Sequence, residues 1–285
     1  MTRYLITGAT GMLGQDLQQA LAGRDVTALS RAELDITDTA AVERAVVGHD
    51  VVINSAAYTK VDDAESAGAE DAHRVNADGP AVLARASVQA GARLVTISTD
   101  YVFDGHGTAP YAEDAPTDPV NAYGRSKAAG EARVRAIAPD SAYIVRTAWI
   151  YGAHGPNFAK TILRLAGSHD TVSVVADQIG QPTWTVDLAE RIVGMLDADA
   201  PAGVYHGTNA GQASWFDFTT AIFTEAGLDP ARVLPTDSTA FVRPAPRPAY
   251  SVLGHDGWSR AGLPPMRDWR EALHTAAEAG VLTAS

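Results

Sequence analysis

The chain has 285 residues, 46% of them apolar, enough to bury a large core as one α/β domain or one domain with an appendage. Its formal net charge of −12 argues against a long phosphate-backbone footprint, so nucleic acid is not an expected partner and an anionic ligand must be met by local positive groups. There is no cysteine, which removes disulfides, thiolate metal sites and cysteine nucleophiles, and no apolar run approaches the roughly 18 residues of a membrane span.

The first strand-like run, Tyr4 to Ile6, begins at once, leaving no room for a signal peptide; a cytoplasmic location is expected. Further runs follow at Val26–Leu29, Val51–Ile53, Leu94–Ile97, Tyr143–Val145 and Val172–Val175. Helix-patterned stretches separate them: Met12–Ala22, Thr39–Val47 with Asp38 as N-cap, Glu70–Gln89, and Ala122–Ile137 with Asn121 as N-cap. Strands alternating with helices predict a doubly wound parallel sheet of the Rossmann-like α/β class, covered on both faces. The alternation weakens after residue 176. Helices are expected at Val186–Leu196, Trp215–Ala226 and Trp269–Ala279, so residues 1–176 read as a dinucleotide-binding domain and 177–285 as mainly a smaller substrate-binding lobe, partly interleaved with it.

Between the first strand and helix, Thr7-Gly-Ala-Thr-Gly-Met-Leu-Gly14 carries glycines at 8, 11 and 14. Such a turn lets backbone approach a pyrophosphate at the positive end of a helix, with Gly8, Thr10, Gly11, Met12, Leu13 and Gly14 as the cradle. The G-x-x-G-x-x-G spacing resembles the fingerprint of extended short-chain dehydrogenases/reductases, and that resemblance places Asp35 and Ile36 beside the adenine. Arg31 stands where such folds choose between a ribose hydroxyl and a 2′-phosphate; a guanidinium suits the phosphate, giving NADPH as the expected cofactor with NADH as the alternative. Ala56, Ala57 and Tyr58 close the third strand, the small residues leaving space for ribose and nicotinamide.

Tyr123-Gly-Arg-Ser-Lys127 puts a phenol and an ammonium four apart on one helix face. The cation is expected to hold the ribose and to pull the Tyr123 pKa down from about 10, making an acid-base catalyst. Thr99 leaves the fourth strand at its carboxyl end, where its hydroxyl can polarise a carbonyl and complete a Thr99, Tyr123, Lys127 set. Asn76 is open between a proton-relay anchor and a structural hydrogen bond.

Ser98-Thr-Asp-Tyr-Val-Phe103, Tyr123–Lys127, Arg146-Thr-Ala-Trp-Ile-Tyr-Gly152, Asn157-Phe-Ala-Lys160, Asp177-Gln-Ile-Gly-Gln-Pro-Thr183 and Arg247-Pro248 together resemble the motifs of dTDP-4-dehydrorhamnose reductases over nearly the whole chain. The resemblance implies reduction of the 4-keto group of dTDP-4-dehydro-L-rhamnose to dTDP-L-rhamnose. It implies catalysis by Thr99, Tyr123 and Lys127, with sugar contacts at Asp100 and Trp149. An indole offers a flat face to a pyranose, and Arg247, ahead of Arg243 and Lys160, offers forked donors to a diphosphate. Some members of such a family use magnesium and dimerise around acids. Here only Asp16 is a candidate, so no metal is expected to be required, and the chain is expected to be a monomer or homodimer. The rival readings are another nucleotide-sugar epimerase/reductase and a non-catalytic subunit resembling the regulatory subunit of methionine adenosyltransferase.

Overall fold

The computed structural model describes residues 1–282. Five strands, β1 (Arg3–Thr7), β2 (Asp25–Leu29), β3 (Val51–Asn54), β4 (Arg93–Thr99) and β5 (Ala142–Thr147), alternate with helices α1 (Met12–Ala20), α2 (Thr39–Val46), α3 (Ala69–His73), α4 (Gly79–Ala90) and α5 (Ala122–Ile137). There follow β6 (Ile150–Tyr151), α6 (Phe158–Ala166), β7 (Val172–Val175), β8 (Ile179–Gly180), β9 (Thr183–Trp184), α7 (Thr185–Asp197) and β10 (Gly203–His206). The chain continues through β11 (Ala213–Ser214), α8 (Trp215–Glu225), β12 (Val233–Thr236), α9 (Asp256–Arg260) and α10 (Trp269–Glu278).

The central sheet has six parallel strands in the order β10-β5-β4-β3-β1-β2. The order reverses between β1 and β3, and in such sheets ligands collect outside the carboxyl ends at that point. Alternation along the strands sorts their side chains. Tyr4, Ile6 and Ile53 pack with Leu13 and Leu17 of α1 and Leu188 and Ile192 of α7, whereas Leu5, Val52 and Leu94 pack with Val42, Leu83 and Val134 on the other face.

A third core, outside the sheet, gathers Tyr151, Ile162, Trp184, Phe218, Phe223 and Trp269. The cores interleave across residue 176: residues 151–174 supply part of this third core, while α7 and Tyr205 belong to the first.

Two expectations need correcting. Val172–Val175 is not a strand of the central sheet; it pairs only with β12. Its residues alternate buried and exposed, the pattern of a half-exposed ribbon and not of a strand covered on both faces. The sixth strand is Gly203-Val-Tyr-His206, too short and too polar at its ends to stand out in the sequence. The long helix expected over Glu70–Gln89 is broken by a π-turn at Arg74–Asp78. Pro80 has no N–H for the carbonyl four residues back, Asn76, and its ring would crowd that oxygen; widening the turn accommodates it.

Helix α5 starts where Asn121 accepts the Gly124 N–H at 2.7 Å and donates to the Pro246 carbonyl at 2.9 Å. The helix then presses so close to the segment after β4 that a Cβ at Gly124 would stand 2.1 Å from the Tyr101 carbonyl oxygen. Alanine is ordinarily better than glycine inside a helix by about 1 kcal/mol. Here Gly124→Ala is expected to destabilise by about 1–3 kcal/mol through overpacking, measured by urea unfolding; a stabilised variant would contradict the contact.

Candidate active site

A cavity of about 620 Å³ opens at the carboxyl ends of the sheet strands. Its floor is Thr10–Gly14, its walls are Ser55, Ala57, Thr59 and Val61 after β3, Ile97–Tyr101 at the end of β4, and Tyr123 and Lys127 of α5. Thr147–Ile150, Gly155, Pro156 and Trp215 close the remaining side.

The glycine turn is shaped by close approach. Gly8 has φ +70°, and a Cβ there would lie 2.6 Å from the Ala56 backbone nitrogen. Helix α1 begins with Gly11 as its cap, no side chain accepts its first N–H groups, and its first turn holds no acid. Donors are therefore left facing the cavity, which fits the pyrophosphate of a dinucleotide.

Thr99, Tyr123 and Lys127 do converge on this cavity. The Thr99 hydroxyl donates to Asp100 Oδ1 at 3.0 Å and accepts from the Tyr101 N–H at 3.2 Å. The Tyr123 ring stands edge-on to Tyr101, centroids 5.9 Å apart. Lys127 is buried and its Nζ donates to the Ile97 carbonyl at 2.6 Å.

The expected charge relation between phenol and ammonium is overturned. Desolvation, with the Asp100 charge adding to it, pushes Tyr123 up to about 12, while hydrogen bonding with Thr99 works the other way. Burial also draws Lys127 down to about 8, opposed by Glu131. The four-residue spacing reveals the cation but not the dry surroundings, which disfavour both charged forms. The phenol is thus held protonated at neutral pH, the state a proton donor needs.

Trp149 lines the cavity in a left-handed backbone conformation, φ 44°, and stacks on Trp215 with centroids 3.6 Å apart. Asp100 is buried with one carboxylate oxygen unpartnered. Other candidates lie outside the lining. Arg31 is exposed beyond β2; Asp35 caps a turn at Thr37 and faces Arg74; Ile36 belongs to the core against Gly79. Ala56 donates to Asn54 Oδ1 at 3.2 Å, and the Tyr58 phenol donates to Asp63, raising it to about 12. Arg247 pairs with Asp62 and donates to the Ala245 carbonyl at 2.6 Å, and it does not line the cavity. Asn76 holds the Tyr58 backbone at 2.9 Å on both sides and donates to the Ser126 hydroxyl at 3.0 Å. Asp16 is buried 3.7 Å from His154, and among the described residues no group of three acids or histidines could hold a metal.

Sequence reasoning missed Ser55, Thr59, Val61, Ser98, Tyr101, Thr147 and Trp215. Thr147 carries the same signal as Thr99, a hydroxyl at the carboxyl end of a strand, since it ends β5 opposite Thr99. Trp215 carried no local signal, because packing of the third core alone brings the start of α8 to the cavity.

The family model described as RmlD substrate binding domain matches residues 2–281. The chain belongs to this family. It is 53% identical over 279 residues to a dTDP-4-dehydrorhamnose reductase of Streptomyces griseus, covering 95% of this chain and 91% of the relative. It is 49% identical to a dTDP-4-keto-6-deoxy-D-glucose reductase of Streptomyces niveus, covering 96% of each. Among solved structures, the family's dTDP-4-dehydrorhamnose reductase from Bacillus anthracis in complex with NADP superposes with a TM-score of 0.92 at 40% identity, covering 97% of this chain and 99% of that one.

Burial raises Asp100 to about 6, so the folded protein holds this proton more tightly than the unfolded chain does. The resulting stabilisation is complete below the unfolded value near 3.8 and is lost as pH rises through about 6. Asp100→Asn mimics the protonated form. Its stability relative to the parent is expected to improve by on the order of 2 kcal/mol between about pH 4 and pH 7, measured by urea unfolding at both; a difference independent of pH contradicts the assignment.

Proposed function

We propose that this protein reduces the 4-keto group of dTDP-4-dehydro-L-rhamnose with NADPH to give dTDP-L-rhamnose. The observation that carries the reading is the meeting of Thr99, Tyr123 and Lys127 at one cavity whose floor is the glycine turn. When bound, the reduced nicotinamide supplies the hydride. Every other task falls to side chains of this chain. Tyr123 gives its phenolic proton to the carbonyl oxygen as that oxygen gains charge. The Thr99 hydroxyl, once turned from Asp100, donates to the same oxygen, and the Lys127 cation offsets the phenolate left behind. The paired indoles of Trp149 and Trp215 form a flat apolar wall for the pyranose and limit water.

Gly8 and the first N–H groups of α1 would hold the pyrophosphate, and Arg31, exposed and free to turn, would meet a 2′-phosphate. The NADP complex of the Bacillus anthracis relative supports that cofactor. Arg247 would reach the substrate diphosphate by leaving Asp62, which keeps the guanidinium placed until then. In this reading the lobe built from the third core carries the sugar nucleotide and the sheet carries the cofactor. The Streptomyces niveus relative supports a second substrate of the same chemistry, a dTDP-4-keto-6-deoxy-D-glucose reduced at the same carbon.

Incubation with NADPH and either keto sugar, following cofactor absorbance, tests the reading; no oxidation with either would end it. Tyr123→Phe is expected to bind both ligands and lose a factor of about 100 to 10,000 in kcat. Arg31→Ala is expected to raise the KM for NADPH about tenfold, the worth of one charge-assisted contact, and to leave that for NADH unchanged. Equal effects on both cofactors would remove Arg31 from the phosphate site.

A further inference from the structure

One helix turn beyond Lys127, on the same face of α5, is Glu131, only 2% exposed. Its carboxylate ties three elements together. Oε1 accepts from the Ser98 hydroxyl of β4 at 2.5 Å and from Nε of Arg146 of β5 at 2.9 Å, and Oε2 accepts from the Arg146 Nη2 at 2.7 Å. Arg146 is itself 1% exposed and donates to the Glu113 carbonyl at 3.1 Å. Behind it lies His206 of β10, whose Nδ1 meets the Gly254 carbonyl at 2.8 Å and whose Nε2 faces Arg146 at 3.3 Å. Burial and the neighbouring guanidinium hold that imidazole down to about 3, so it is neutral and adds no charge.

Of the outward-facing cations of α5, Arg125 lies near Glu65 and Arg133 pairs with Asp78, while Arg135 is exposed at the far end of the helix. On the cavity side the Asp100 charge acts on Tyr123. Glu131 is thus the carboxylate paired with the buried Arg146 and one helix turn from the buried Lys127. The hydrogen bond Lys127 makes to the Ile97 carbonyl does not neutralise it, and an unpaired ammonium in a dry site sheds its proton. The anchored atoms are also consecutive: Lys127 holds Ile97, Glu131 holds Ser98, and the next residue is Thr99.

We propose that Glu131, fixed by Arg146, is a positioning residue of the reductase, keeping Lys127 cationic at neutral pH and holding the end of β4 so that Thr99 faces Tyr123. Its consequence for turnover rests on the proposed reduction; its hold on the Lys127 charge does not.

The chain has three lysines, Lys60, Lys127 and Lys160, so isotope-labelled lysine NMR can follow each ammonium through a pH titration. In Glu131→Gln the Lys127 midpoint, placed at about 8 in the parent, is expected to fall by about one unit or more while the other two stay. Because charge on Lys127 is lost as pH rises, the alkaline limb of kcat/KM should move down by the same amount, activity falling roughly threefold midway between the two midpoints and about tenfold above the parent's midpoint. Glu131→Asp, which keeps the charge, should restore most of the midpoint. A variant that lowers Tm but leaves midpoint and limb in place shows a role in folding alone and overturns the proposal. If Glu131→Gln does not fold, Arg146→Met removes the competing cation and should raise the Lys127 midpoint; an unchanged midpoint overturns it equally. A parent protein that oxidises no NADPH with a keto sugar sinks the reading of function, while the lysine titration still decides Glu131.

Discussion

The first turns of α5 are pinned against the end of β4, and the chemistry depends on that contact. The Tyr101 carbonyl occupies the space where a side chain at position 124 would be, so the helix comes close enough for Lys127 to bond the Ile97 carbonyl. Tyr123, one residue before the glycine, is thereby delivered beside Thr99 at the cavity wall. A helix set even one methyl group further out would separate phenol from hydroxyl, and hydrogen-bond geometry weakens steeply beyond its normal range.

Dryness at the same place sets the protonation states. Burial lifts Tyr123 and Asp100 and lowers Lys127, in each case towards the neutral form. A protonated phenol and a marginally cationic lysine are the resting pair a ketone reduction requires, since the phenol must give a proton and the ammonium must then face a phenolate. The opposite direction, from alcohol to ketone, would need the phenolate first.

Much of this was legible in the sequence because it is local. Glycine spacing, the run of short strands, the Asn121 and Asp38 caps and the four-residue step from Tyr123 to Lys127 each follow from chain geometry within one or two turns. What escaped depends on tertiary packing. The pairing of β7 with β12, the sixth strand at Gly203–His206 and the arrival of Trp215 beside Trp149 join segments far apart in the chain. The direction of the Tyr123 shift escaped for a related reason: a neighbouring charge can be read from spacing, whereas desolvation is set by every element that covers the site. The engagement of Arg247 by Asp62 belongs to the same class, because ion pairing across the fold leaves no periodic trace.

The account comes down to a ketone carbon receiving hydride at this cavity while Tyr123 supplies the proton. The most direct measurement is to run the reaction with NADPH deuterated at nicotinamide C4 and locate the label in the sugar product. The account predicts deuterium on carbon 4 of the hexose, with none appearing when Tyr123 is replaced by phenylalanine in a single-turnover experiment of the same duration. Label at another carbon, or oxidised cofactor without labelled sugar, would contradict it.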